Sequence, residues 1–204
     1  STSAISVILL TSQTVGSEKI RGLEIGADDF IEKPIDWAEF KARIGSVLRR
    51  ASQLRDLSPL TNLPGNFRIS NELSALVADP SNKYAVLNIE IDYFKSINDR
   101  YGSTRGDKVI KFLGSMLSEI MSKTQGKPSL LGHIGGARFI IITAPENVEP
   151  VCNEIITKFD KGIVDFYDEE ARQTGYIEIK NRKNELVKHP ICIVAIGVVS
   201  TEWR

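Results

Sequence analysis

The stretch LLGHIGGARFIII, residues 130–142, constrains this chain more than any other. Two apolar, β-prone runs meet at Gly135 and Gly136. A two-residue I′ or II′ turn needs positive φ, which paired glycines supply, so the reading is an antiparallel hairpin. On the residues alone, that hairpin is an ordinary turn. The next two residues, Ala137 and Arg138, stand where a phosphate-handling site would want carboxylates.

Around the hairpin the chain reads as alternating strands and helices. Residues 5–12 (ISVILLTS) form a short β-branched run, as expected of a strand buried on both faces. Residues 17–27 read as a helix, with Ile20, Leu23 and Glu24 at helical spacing and Gly26 near its end. DFIEKP gives a second strand stopped by Pro34. Asp36 caps a further helix, with Glu39 three residues on and an apolar stripe of Trp37, Phe40, Ile44, Val47 and Leu48. Some 50 residues of this kind rarely bury enough surface to fold without help.

Turn formers in SPLTNLPGN, residues 58–66, mark a boundary. Beyond it, residues 67–77 read as a helix, 84–91 as a strand, 107–121 as a strongly apolar helix and 148–166 as another helix. GYIEIKN and PICIVAIGVV supply two more strands. The expected organisation is α/β over residues 1–55, then an α+β domain over 56–204 with a mainly antiparallel central sheet.

Composition narrows the function classes. The 204 residues carry 26 basic and 26 acidic side chains, a formal net charge of zero. No broad field draws the chain to nucleic acid or anionic membrane. No apolar run approaches the roughly 18 residues of a membrane span, and the start lacks a basic leader region. The chain therefore reads as soluble and cytoplasmic. Cys152 and Cys192 sit far apart in apolar company and read as buried free thiols. His133 and His189 read as incidental, since no partner cluster makes either a ligand or a base.

LLTS, GLEIGADDF and EKP, in that order, resemble the C-terminal half of a response-regulator receiver domain, a partial doubly wound α/β segment. The resemblance implies that Thr11 and Lys33 contact a phosphorylated aspartate. A hydroxyl donor and an ammonium group are what a new phosphoryl dianion needs. The acidic pocket and the phosphoacceptor aspartate have no counterpart in these residues. Receiver pairs associate through the last strand and helix, which points to a homodimer through Trp37, Phe40 or Arg43.

DLSPLTNLPGN, IEIDYFKSINDRYGSTRGD, GHIGGARF and IVAIGVVS resemble a GGDEF domain, the diguanylate cyclase module with a nucleotidyl-cyclase-like fold. The resemblance implies metal binding at Glu90, a backbone meeting triphosphate at Phe94 and Lys95, and guanine reading by Asn98 and Asp107. Other duties compete. Glu90 and Asp92 alternate across a strand end and could simply face solvent. Asn98 could be a turn former, Asp107 a helix N-cap and Arg138 a solvated strand charge.

The name-giving Gly-Gly-Asp-Glu-Phe is here Gly135-Gly136-Ala137-Arg138-Phe139. Magnesium is held by one or two carboxylates plus substrate phosphates. Ala137 offers no oxygen, and Arg138 repels a divalent ion but could grip phosphate. The span before the glycines, QGKPSLLGH, lacks the family's inhibitory Arg-x-x-Asp, and a phosphate-binding helix usual after VSTEWR is unseen, so the domain reads as C-terminally incomplete. No catalytic set is intact. The leading expectation is a response regulator with a catalytically degenerate GGDEF domain, acting through nucleotide or through an unknown signalling protein. GTP and Mg2+ enter only if the pocket is retained. The alternative is an active or residual diguanylate cyclase making cyclic di-GMP from GTP.

Overall fold

The structure, a computed structural model, describes residues 6–12, 20, 21, 23–180 and 184–202, with residues 49–55 described by backbone alone. The chain divides between Asp56 and Leu57 into two compact units.

In the first unit β1 (Ile8–Thr11) pairs in parallel with β2 (Asp29–Glu32), placing Ile8 beside Asp29 and Thr11 beside Glu32. Helix α1 (Trp37–Arg55) begins as its sequence dictates. Asp36 Oδ1 accepts the N–H groups of Ala38 at 2.7 Å and Glu39 at 3.0 Å. These bonds hold the Asp36 carboxyl below its ordinary pKa. Ile31 and Val47 are buried.

Two expectations change here, and a third lies partly outside the described residues. β1 is not buried on both faces: Leu9 is 36% and Leu10 46% exposed. Among the described residues, the elements of this unit leave these side chains uncovered. Within the stripe of α1, Val47 is buried and Phe40 and Ile44 half-buried, whereas Trp37 and Leu48 face solvent. Of the helix expected at 17–27, residues 20, 21, 23 and 24 are helical and most of the rest lies outside the described residues, as does Ile5 of the first strand.

In the second unit the central sheet has the order β4-β5-β3-β8, entirely antiparallel. Its strands are β3 (Ala85–Asp92), β4 (Leu130–Gly135), β5 (Arg138–Thr143) and β8 (Ile193–Ser200). One face carries α3 (Phe94–Tyr101), α4 (Ser103–Lys123) and α5 (Val148–Ile163), packed over Leu87, Ile89, Phe139 and Ile141. The other carries α2 (Asn66–Ala78), whose Ile69 and Leu76 meet Leu130 and Ile142. A short helix α6 (Glu169–Thr174) and a separate hairpin of β6 (Tyr176–Lys180) and β7 (Leu186–Pro190) precede β8. Phe139 is fully buried opposite Ile89; truncating such a phenylalanine to alanine costs about 3–5 kcal/mol.

The long helix starts at Ser103, not Asp107, because Gly102 turns the chain at φ 85° between α3 and α4. Asp107 is therefore not an N-cap. Helices α3 and α6 and strand β7 are elements that the sequence pattern did not announce. Both cysteines are free, Cys192 buried and Cys152 half-buried. Burial pushes both thiols up, Cys192 to about 11, which keeps them protonated and inert.

Candidate functional site

The glycine hairpin closes as expected. Gly136 has φ 59° while no positive φ occurs at Ala137, so the first turn residue alone takes the glycine conformation, as in a II′ turn. The tip is tied to the neighbouring strand, because the Ile91 N–H donates to the Ala137 carbonyl at 3.2 Å. In the ladder Glu90 lies directly opposite Arg138, one step beyond the buried pair Ile89 and Phe139. Directly opposed residues share a sheet face, with Cβ atoms about 4.5–5.5 Å apart. Both side chains are exposed. No ion pair within 4.0 Å joins them, and the Arg138 side chain has no hydrogen-bonding partner among the described residues.

Glu90 and Asp92 do not alternate across the strand end. Two residues apart on β3, they share its solvent-facing side. Asp92 is followed by Tyr93, which turns the chain at φ 62° into α3. No side chain caps α3; the Ser96 N–H donates back to the Tyr93 carbonyl at 2.9 Å. Phe94 and Lys95 stand in the first turn of this helix. The Lys95 ammonium is exposed and pairs with Asp99 at 3.0 Å.

Asn98 and Asp107 reach one corner by way of glycine. The Gly102 N–H donates to the Asn98 carbonyl at 2.9 Å, and α4 runs back past α3. At the crossing, a Cβ on Gly106 would collide with Asn98 Oδ1 and stand 3.1 Å from the Phe94 ring. Only glycine lets the helices approach there. Asn98 Oδ1 is buried without a hydrogen-bond partner. A buried acceptor left unpaired costs about 1–3 kcal/mol. Asp107, next to Gly106, is exposed.

His133 is not incidental. It is 5% exposed and lies flat on Phe139, with ring centroids 4.5 Å apart. Its Nε2 donates to the Gly136 carbonyl at 2.9 Å, and Nδ1 meets the hydroxyls of Ser58 at 2.7 Å and Thr61 at 3.0 Å. The ring thus joins loop 57–65 to the hairpin tip. The sequence signal was the SPLT hydroxyls, which no local pattern connects to residue 133.

In the first unit, Thr11 and Lys33 come together at one end of the two strands: the Lys33 N–H donates to the Thr11 carbonyl at 2.7 Å. Arg43 is engaged by Asp29 at 3.0 Å and Glu39 at 2.7 Å.

A divalent ion at Glu90 would face a guanidinium across the ladder, and the neighbouring Ala137 offers it no side-chain oxygen. That donor set fits magnesium poorly, because the ion wants oxygen ligands and the guanidinium competes with it for the carboxylate. Among the described residues no group of three or more His, Cys, Asp or Glu side chains gathers as an all-protein metal cage would need. No described helix is long and apolar enough to cross a membrane.

The sequence pattern described as "Diguanylate cyclase, GGDEF domain" matches residues 56–180. The chain is 30% identical to the probable diguanylate cyclase DgcF of Escherichia coli K12 over 123 residues, 60% of this chain and 37% of DgcF. It is 26% identical to the response regulator PleD of Caulobacter vibrioides over 160 residues, 69% of this chain and 34% of PleD. The chain thus spans about a third of the length of these relatives. Among solved structures it is similar to the coiled coil and GGDEF domain of DgcB from Caulobacter crescentus in complex with c-di-GMP. That match has a TM-score of 0.51 at 22% identity, covers 79% of this chain and 78% of the other, and concerns the fold alone. The pattern match and the antiparallel sheet around the glycine hairpin agree, and the chain belongs to the diguanylate cyclase GGDEF-domain family.

Proposed function

We propose that this chain is a two-component signalling protein whose GGDEF domain binds and does not catalyse. A single observation carries the reading: Arg138 stands directly across the ladder from Glu90, where a divalent ion holding nucleotide phosphates would need acids. Joining two GTP molecules requires charge neutralisation at the phosphates, and losing a metal-holding group removes orders of magnitude of rate. The receiver reading of the first unit is supported by Thr11 and Lys33 meeting at one strand end. Under it, a cytoplasmic homodimer forms through α1, where Trp37 is 72% exposed against the Phe40 ring edge, and the output passes to a signalling protein.

The test is to incubate the purified chain with GTP and magnesium or manganese and separate the products. The expected result is no cyclic di-GMP above buffer; clear turnover overturns the reading. A second reading, a residual cyclase, is favoured by the kept corner of Asn98, Gly106 and Asp107. It predicts that Ala137→Asp with Arg138→Glu restores turnover, because only the metal shell is broken.

A further inference from the structure

The guanidinium of Arg138 is exposed and unpartnered at the end of the sheet, although the carboxylate of Glu90 lies across the ladder from it. A solvated cross-strand pair would close that gap; here it stays open. The same end of β3 leads through Asp92 and Tyr93 into the uncapped start of α3. A planar guanidinium offers a fork of N–H donors that matches phosphate oxygens two at a time, and its charge is permanent. It is thus a fixed cation opposite the carboxylate to which the family resemblance assigns a metal.

We propose that Arg138 takes the place of the divalent ion, so that this end of the sheet holds the phosphates of a guanine nucleotide without metal, and that Glu90 opposes this hold. The inference rests on the nucleotide-binding reading above and names its chemistry. It reverses the expected role of Glu90. As a metal ligand that carboxylate would assist binding; facing phosphate with no ion between, it repels.

The experiment titrates the full chain with a fluorescent GTP analogue, in EDTA and again in excess magnesium. Binding in EDTA that is as tight as with magnesium is expected. Arg138→Ala weakens the EDTA affinity about tenfold or more, the size of a lost charge-assisted contact. Arg138→Lys, which keeps the charge and loses the fork, falls between. Glu90→Gln strengthens binding in EDTA. Both side chains are exposed, so these variants keep the fold, which circular dichroism verifies. Binding that requires magnesium, or that weakens on Glu90→Gln, overturns this inference and leaves nucleotide binding standing. No binding in either medium, with Asn98→Ala also silent, overturns the nucleotide reading itself.

Discussion

Three hydrogen bonds and a ring stack converge on His133. Each bond alone is worth about 1 kcal/mol net, but a buried partner left unpaired costs more. His133→Ala removes the ring from over Phe139 and leaves two hydroxyls and a carbonyl without their partner. We expect a loss of about 2–3 kcal/mol in urea unfolding, read as a lower midpoint at unchanged slope. A loss within the ±0.5 kcal/mol typical of surface substitutions would show that loop 57–65 docks without the ring. The consequence is positional as well. The Gly136 carbonyl sits beside Ala137 and Arg138, so the ring fixes the tip that presents the guanidinium. Residues 58 and 133 are far apart in sequence, and no periodicity or local motif brings them together.

Helix α4 is held to α5 by charge as well as by apolar contact. Glu119 receives Lys123 at 2.6 Å from its own helix and Lys158 at 3.0 Å from α5, and these ammonium groups lower its carboxyl pKa to about 2. A carboxyl depressed in the folded state contributes above its unfolded value. That contribution is lost as pH falls from the ordinary glutamate range toward about 2. Carbon-13 NMR should find the Glu119 carboxyl titrating near that low value, and Lys158→Ala should move the midpoint upward. A midpoint at the ordinary value would mean the pair is open in solution, as many exposed pairs are.

Elements built by such local chemistry were legible in the sequence. Asp36 announced α1, the glycines announced the hairpin, and the apolar spacing of Val109, Leu113, Met116 and Ile120 announced α4. Helix α3 was hidden inside a motif read for its chemistry, since its start depends on a left-handed Tyr93 that no residue preference marks. Strand β7 reads LVKHP, three of its five residues polar or proline, and exists through pairing with β6 alone. At the site, the residue types were legible, whereas the opposition of Glu90 and Arg138 needed the register of two strands that are far apart in sequence.

At the scale of the chain, the described residues of the two units differ in how much they bury. The second has two apolar clusters, one on each face of its sheet, with Leu87, Ile89, Phe139, Ile141, Phe159 and Ile155 fully enclosed. In the first, Ile31 and Val47 are the buried apolar side chains among the described residues, while Leu9, Leu10, Leu23 and Ile25 face outward. Burial of apolar area is the main term opposing chain entropy, so the two units cannot share one stability. Native-state hydrogen exchange on the 204-residue chain should show this directly. Amides of β3 and β5, such as Ile89 and Ile141, should open only with global unfolding, at about 5–15 kcal/mol. Those of β1 and β2, such as Leu10 and Ile31, should exchange through local opening orders of magnitude faster. Equal protection in both sheets would mean that something covers the open face of β1 and β2 in solution. A second copy of the chain would do so in proportion to protein concentration, because association stabilises by mass action, and repeating the exchange at two concentrations distinguishes that cover from an intrinsic one.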